Sequence, residues 1–403
     1  MLRSFRLGNH RSFRDEQELL LMPALPGDER PVVPVAAIYG ANASGKSNLL
    51  DGLAFMQMLV LGRSMSPAAA FEVCPYKLGA GPIQEQSVFV VEIVVDDVPY
   101  TYGFTLTERA VVDEWLYAYP AKRKRILFER SDAEFKVGGT VVDSKAKFEV
   151  LEELIRPDRL LLSACDNLSI GPLMPVYQWF ARGLTVRRLR GQTSPSFVGD
   201  RVGRYLSRRP EQVSRLVSLL GAADVGVVDL VVEDGRELTA DRPGETPLRR
   251  EQKLKLLHGT GREAFPLGDE SSGTLNWLAL LPQVLDAVDY GKVLVVDEID
   301  ASLHPLLTAQ LVGIFQNRET NPNEAQLIFT THDTSLLGTM LGDQVLERDQ
   351  IWFVEKDSEG ASRLYPLTDF KPRKDQNTER RYLSGSYGAV PVLGDFVAAV
   401  GRE

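Results

Sequence analysis

A chain of 403 residues, 44% hydrophobic and 25% charged, is long enough to bury a large core and has none of the compositional marks of a disordered or fibrous protein. Its formal net charge of −9 argues against a broadly cationic surface for nonspecific duplex binding, and no apolar run approaches the length of a membrane span. Cys74 and Cys165 cannot build a disulfide framework; they read as small buried or half-buried apolar residues of a cytoplasmic protein without a signal peptide.

The first elements read as strands. The apolar run VVPVAAIY leads into GANASGKS (Gly40 to Ser47), and NLLDGLAFMQMLVLG follows with large apolar residues at helical spacing. The loop matches G-x-x-x-x-G-K-[ST] in full, in the strand-loop-helix setting the motif requires. Gly40 and Gly45 let successive backbone N–H groups turn inward on phosphate oxygens, and the helix N-terminus adds favourable partial charge. Lys46 is expected to reach the β- and γ-phosphates of ATP and Ser47 to offer its hydroxyl to Mg²⁺, with Asn42, Ser44 and Asn48 completing the cradle.

From Ser87 onward, alternating apolar and polar residues predict antiparallel strands, with Asp96 and Asp97 as a turn. KFEVLEELIRP, GPLMPVYQWFARG and GDRVGRYLSRRPEQVSRLVSLLGAAD then read as amphipathic helices. Basic clusters at Lys122 to Arg125, at Arg187, Arg188 and Arg190, and at Arg208 and Arg209 read first as solvated faces. Nucleic acid, a viral trigger or an acidic effector is the alternative for them.

VGVVDLVVEDG and REQKLKLLHG predict two strands before ESSGT (Glu270 to Thr274), where Ser271 suits a cap on a helix interrupted only by Pro282. In KVLVVDEID the run Val293 to Val296 reads as a buried parallel strand, placing Asp297 and Glu298 at its carboxyl end, where open α/β sheets bind ligands. Two adjacent acids there can divide labour: Asp297 holds the Mg²⁺ shell, and Glu298 orients or deprotonates the attacking water. His304 reads as a cap or packing residue beside Pro305, which starts the helix LLTAQLVGIFQ. The strand AQLIFTTHD brings His332 after the carboxylate pair. DQIWFVEK and ASRLYPL predict two further strands, and RRYLSGSYGAVPVLG reads as packing the C-terminus onto the sheet, with partner docking as the alternative.

The ordered set GANASGKS, ESSGT, VLVVDEIDASLHP and FTTHD resembles the ABC-type ATPases of the SMC, RecF and OLD group, most closely the stand-alone RloA-type AAA family ATPases of bacterial defence operons. NHRSFRD, VVDEWLYAYP, RDQIWFVEKD and RRYLSGSYGAVP extend the likeness over nearly the whole chain. It implies an α/β P-loop NTPase fold forming a single ABC-type ATPase head. Residues 1–63 and 226–403 would form the nucleotide-binding core, 87–138 an antiparallel β-subdomain and 145–222 an inserted helical lobe.

The resemblance also assigns roles. Ser271, Ser272 and Gly273 fall on the ABC signature, which in the family touches the γ-phosphate of a nucleotide held by the other subunit. Ser272 stands where a first glycine is usual and Thr274 where glutamine is usual. Asp300, Ala301 and Ser302 match a loop that crosses the dimer interface, His332 a γ-phosphate sensor, and Arg11 a basic position near the nucleotide, or else an exposed arginine after a strand. No glutamine-loop residue can be placed; Gln84 and Gln86 have suitable spacing but read as surface loop.

The implied partner is therefore a second copy, in a homodimer or higher oligomer that sandwiches ATP. The implied activity is Mg²⁺-dependent ATP hydrolysis that senses a trigger and regulates a separate nuclease or toxin effector in anti-phage defence. A RecF- or SMC-like ATPase acting on DNA, with nucleic acid as partner, is the alternative, and an ATP-bound scaffold with negligible turnover is a third. The chain has no long heptad run for a coiled-coil arm, and its tail lacks the nuclease domain that OLD proteins fuse there.

Overall fold

The computed structural model describes residues 1–62, 73–78, 86–131, 134–139, 141, 145–164, 170–188, 194–238, 248–260, 262–301, 303–341, 344–371, 373, 376–392, 394–395 and 400. Gln84, Cys165, Arg190, Ser302 and the side chain of Arg188 lie outside the described residues.

The chain opens with β1 (Leu2–Gly8), β2 (Gln17–Leu20), β3 (Val35–Tyr39) and helix α1 (Lys46–Val60). It continues through β4 (Ser87–Val95), β5 (Val98–Leu106), β6 (Val111–Ala118), β7 (Arg125–Ser131) and β8 (Glu134–Val137). Helices α2 (Lys145–Leu154) and α3 (Met174–Gln178) precede β9 (Leu184–Arg188), and α4 (Pro195–Arg208) and α5 (Val213–Ala222) follow it. Strands β10 (Val227–Leu238), β11 (Leu248–His258) and β12 (Glu263–Pro266) lead to α6 (Ser272–Tyr290), β13 (Val293–Asp297), α7 (Pro305–Gln316) and β14 (Gln326–Thr330). The last elements are β15 (Ile351–Lys356), β16 (Ser362–Pro366) and α8 (Thr378–Leu383).

A six-stranded sheet of order β16-β15-β3-β14-β13-β9 forms the core. It is parallel except for β16, which returns antiparallel on β15. Strands β3, β13 and β14 are buried along their whole length, which is why they read as unbroken apolar runs. Their side chains alternate between faces: Ile38, Val293, Val295 and Ile328 pack with α1, while Ala37, Leu294, Val296 and Phe329 pack with α6 and α7. The phosphate loop thus leaves the middle of the sheet, and the helices before and after β13 lie on the face away from α1.

The second sheet is antiparallel, of order β2-β1-β4-β5-β6-β7-β8. Asp96 and Asp97 both have positive φ, 49° and 62°, and close the β4–β5 hairpin between the paired Val95 and Val98. Strands β1 and β2, grouped by sequence with the nucleotide core, belong to this sheet, because β1 pairs with β4 from Leu2 to Gly8. Its Phe5 and Leu7 press on α1 at Gly52, where an added Cβ would come within 2.9 Å of Leu7 Cδ1. Helix α1 is therefore held between two sheets.

The span read as a helical lobe contributes a core strand, since β9 pairs in parallel with β13 and adjoins the carboxylate pair. Strands β10 to β12 form a third sheet packed on α4. Arg187, expected on a solvated face, is buried: its guanidinium donates to Ala279 O and to Gln283 Oε1 on α6, and burial lowers its pKa to about 9. The C-terminal segment packs on the sheet. Tyr382 and Tyr387 stack on Phe353 with ring centroids 5.4 and 5.8 Å away, and Tyr382 meets Tyr39 edge-on at 5.8 Å.

Candidate phosphate-binding site

Two glycines shape the loop because their neighbours leave no room for a side chain. A Cβ on Gly40 would lie 2.3 Å from Val354 O, and one on Gly45, whose φ is +118°, would lie 2.3 Å from Ser362 Oγ and 2.8 Å from Ser12 Oγ. Those two serines brace the loop. Ser362 Oγ donates to Ser44 O at 2.5 Å and bonds Ser12 Oγ at 2.7 Å, and Asn48 Nδ2 donates to Ser12 Oγ at 2.7 Å. Ser44 Oγ is buried with no hydrogen-bond partner, a polar group that a phosphate oxygen would satisfy. Asn42 is exposed at the loop tip.

Lys46 is buried and folds over the loop, its Nζ donating to Gly40 O at 2.8 Å and Ala41 O at 3.0 Å. Burial lowers its pKa to about 8, against the opposing pull of Asp297, Asp300 and Glu298. The three acids, at and just past the end of β13, therefore act on the lysine from two strands away.

Ser47 Oγ donates to Asp297 Oδ1 at 3.0 Å, joining the phosphate-loop helix to the end of β13. The same carboxylate oxygen accepts from Thr330 Oγ1 at 2.7 Å, and Thr330 Oγ1 in turn accepts the Glu298 N–H at 2.7 Å. Glu298, half-buried, holds a left-handed backbone with φ of 53°. Asp300 accepts the His332 N–H at 3.1 Å. Partial burial and the nearby Lys46 charge lower the His332 pKa, which favours the neutral ring, in which one nitrogen donates and the other accepts.

The signature residues lie apart from this group. Ser271 caps α6, its Oγ accepting the Thr274 N–H at 3.1 Å and sharing a hydrogen bond with Thr274 Oγ1 at 2.9 Å. Ser271 and Ser272 are exposed and Gly273 is half-buried. Helix α6 turns back through Gly291 (φ 62°) into β13, so its N-terminus lies toward the phosphate-loop edge of the sheet. At 19 residues it is about 28 Å long, against about 17 Å for the five-residue strand.

Arg11 is paired with Asp51, one helical turn beyond Ser47, and Asp51 also meets His10 Nε2 at 3.1 Å. Its guanidinium therefore lies along α1 and not on the loop. His304 caps α7, with Nδ1 accepting the Leu306 N–H at 3.2 Å. Several residues here were not singled out by sequence: Ser12, Ser362, the hydroxyl of Thr330, and His258, whose Nε2 sits 2.8 Å from Glu270 beside the signature. A separate acidic group, Asp28, Glu347 and Asp349, brings one oxygen from each within 4.8 Å, but Arg30 pairs with Asp28 and Glu347, so the cluster carries its own cation.

The family model described as "AAA domain, putative AbiEii toxin, Type IV TA system" matches residues 35–338, from the phosphate-loop strand to just past His332. The chain belongs to this family. No curated protein matches it. Among solved structures, the SMC head bound to the C-winged helix domain of ScpA is 14% identical, with a TM-score of 0.50 over 92% of this chain and 99% of that one. The SMC head domain from Thermotoga maritima is 15% identical, with a TM-score of 0.42 over 91% and 98%. The Smc head with a coiled coil and joint derived from Pyrococcus yayanosii is 10% identical, with a TM-score of 0.47 over 96% and 99%. The first of these shows that this AAA family chain has a fold like that of an SMC head. Among the described residues no helix is long and apolar enough to cross a membrane.

Proposed function

We propose that this chain hydrolyses ATP with Mg²⁺ in a site completed by a second copy, and that the cycle regulates a separate effector in defence against phage, as in the RloA-type group. The observation that carries the ATPase reading is the 3.0 Å bond between Ser47 Oγ and Asp297 Oδ1. It places a hydroxyl and a carboxylate from the two motifs at one point, the pair that binds Mg²⁺ in P-loop enzymes. Ser47 and Asp297 would hold Mg²⁺ there, and the ion would supply positive charge to offset that of the phosphate oxygens.

The remaining chemistry lies in the chain's own side chains. Lys46 exchanges the Gly40 and Ala41 carbonyls for phosphate oxygens, and Ser44 Oγ gains the partner it lacks. Glu298 orients and deprotonates the attacking water, and neutral His332 bonds the γ-phosphate side. The exposed Ser271, whose hydrogen bonds are those of its own helix cap, supports the second-copy reading. The family's toxin–antitoxin description supports the defence reading, and the ScpA domain on the related SMC head is an instance of a separate partner chain.

Phosphate release tests the reading directly. Glu298→Gln is expected to lower turnover by about 10²–10³-fold while ATP-dependent dimers accumulate in size-exclusion chromatography. Parent-rate hydrolysis by that variant sinks the role given to Glu298. DNA is expected to leave the rate unchanged; stimulation by DNA would favour a RecF-like role. Cells carrying Lys46→Ala are expected to lose protection against phage.

A further inference from the structure

We infer that Thr330 is a positioning residue that locks Asp297 and Glu298 into one unit, and that with the Asp300–His332 bond it makes the two strand ends move together. The inference rests on the ATPase reading above and adds a residue to it.

The backbone ladder between β13 and β14 ends at the pair Val296 and Phe329. One step further, the side chain of Thr330 continues it. A threonine hydroxyl has one proton to give and lone pairs to receive, and here both capacities are used: the proton goes to Asp297 Oδ1 and a lone pair takes the Glu298 N–H, each at 2.7 Å. Thr330 is fully buried at 0% exposure, so bulk water does not reach it to substitute for either bond.

The geometry explains why the hydroxyl is needed. Alternation along β13 points Val293, Val295 and Asp297 to the α1 face, and along β14 it points Ile328 and Thr330 the same way. Ser47, on α1, closes over that face onto Asp297. A chain of contacts therefore runs Ser47 to Asp297 to Thr330 to the Glu298 backbone. Glu298 has a φ of 53°, a conformation unfavourable for a non-glycine residue, and the Thr330 bond fixes the amide at which the chain turns into it. Two residues after Thr330, the His332 N–H binds Asp300 as a second rung. A shift of His332 on meeting phosphate is thus passed to the loop that carries Glu298.

The test compares Thr330→Val, which keeps the shape and loses the hydroxyl, with Thr330→Ser, which keeps the hydroxyl. In Val, turnover at saturating Mg²⁺-ATP is expected to fall about 10²-fold and the Mg²⁺ needed for half-maximal rate to rise about tenfold. Ser is expected to stay within about threefold of the parent in both. Binding of a fluorescent ATP analogue in EDTA, unchanged in both variants, shows that the loop is intact. Parent-like turnover and Mg²⁺ dependence in Val would overturn the assignment, as would a Ser variant as defective as Val. If the parent itself shows no turnover, the ATPase reading fails, and analogue binding with and without Mg²⁺ still decides: loss of the Mg²⁺-dependent gain in Val, restored in Ser, supports the lock, and its retention in Val refutes it.

Discussion

The hydroxyl of Ser362 stands where a Cβ on Gly45 would have to go, the two atoms being 2.3 Å apart. Gly45 also holds φ of +118°, outside the range of L side chains. Gly45→Ala therefore meets both strain and a clash. We expect it to abolish ATP binding and to lower stability by about 2–4 kcal/mol in urea titrations. Adding Ser362→Ala should recover only the steric share, leaving the backbone strain in place.

Lys46 gives a pH dependence with a definite sign. Its folded pKa is about 8, below the 10.5 of the free side chain, so between those values the unfolded chain binds more protons than the folded one. Nucleotide-free stability is expected to gain a contribution from Lys46 as pH rises through this window, and Lys46→Met should remove it. ATP affinity should move the other way, falling above about pH 8 as the ammonium is lost. Urea titrations and ATP titrations at pH 7 to 10 on both proteins check each half.

A site shared between copies predicts complementation. Lys46→Ala and Ser271→Arg should each be inactive alone. In mixed dimers one of the two sites pairs an intact loop with an intact signature, so mixing equal amounts should restore roughly a quarter of parental turnover. No recovery on mixing, with dimers present, would place the whole reaction inside one copy. Ser271 also caps α6, so a loss of about 1 kcal/mol in stability is expected in any event and should be measured alongside.

The aromatic stack beneath the loop ties the C-terminal segment to the nucleotide strand. Tyr382 lies against Tyr39 and Phe353, and its hydroxyl donates to Ala389 O at 3.1 Å. Tyr382→Ala is expected to destabilise the fold by about 3 kcal/mol in thermal or urea unfolding, and Tyr382→Phe by about 1 kcal/mol.

Much of this was legible in the sequence because the relevant signals are local. The phosphate loop is eight consecutive residues, β13 is an unbroken apolar run ending in two acids, and Asp96-Asp97 marks its turn by composition. What escaped notice depends on residues far apart in the chain. Ser12 and Ser362 are ordinary serines until β16 is laid beside the loop, and Thr330 becomes special only when β13 and β14 end in register. Strands β1 and β9 carry no mark of which sheet they will join; β1 was drawn to β4, and β9 to β13, by pairing partners that periodicity does not name. Arg187 departs from a solvated face for a related reason: one arginine in a basic run turns inward because α6 offers it a carbonyl and an amide oxygen.

The brace formed by Ser12 and Ser362 has a consequence for how a new molecule is made. The two serines are 350 residues apart, so the loop lacks its brace until β16 has been synthesised. A chain that stops before β16 lacks the Ser362 bonds that brace the turn at Ser44 and Gly45.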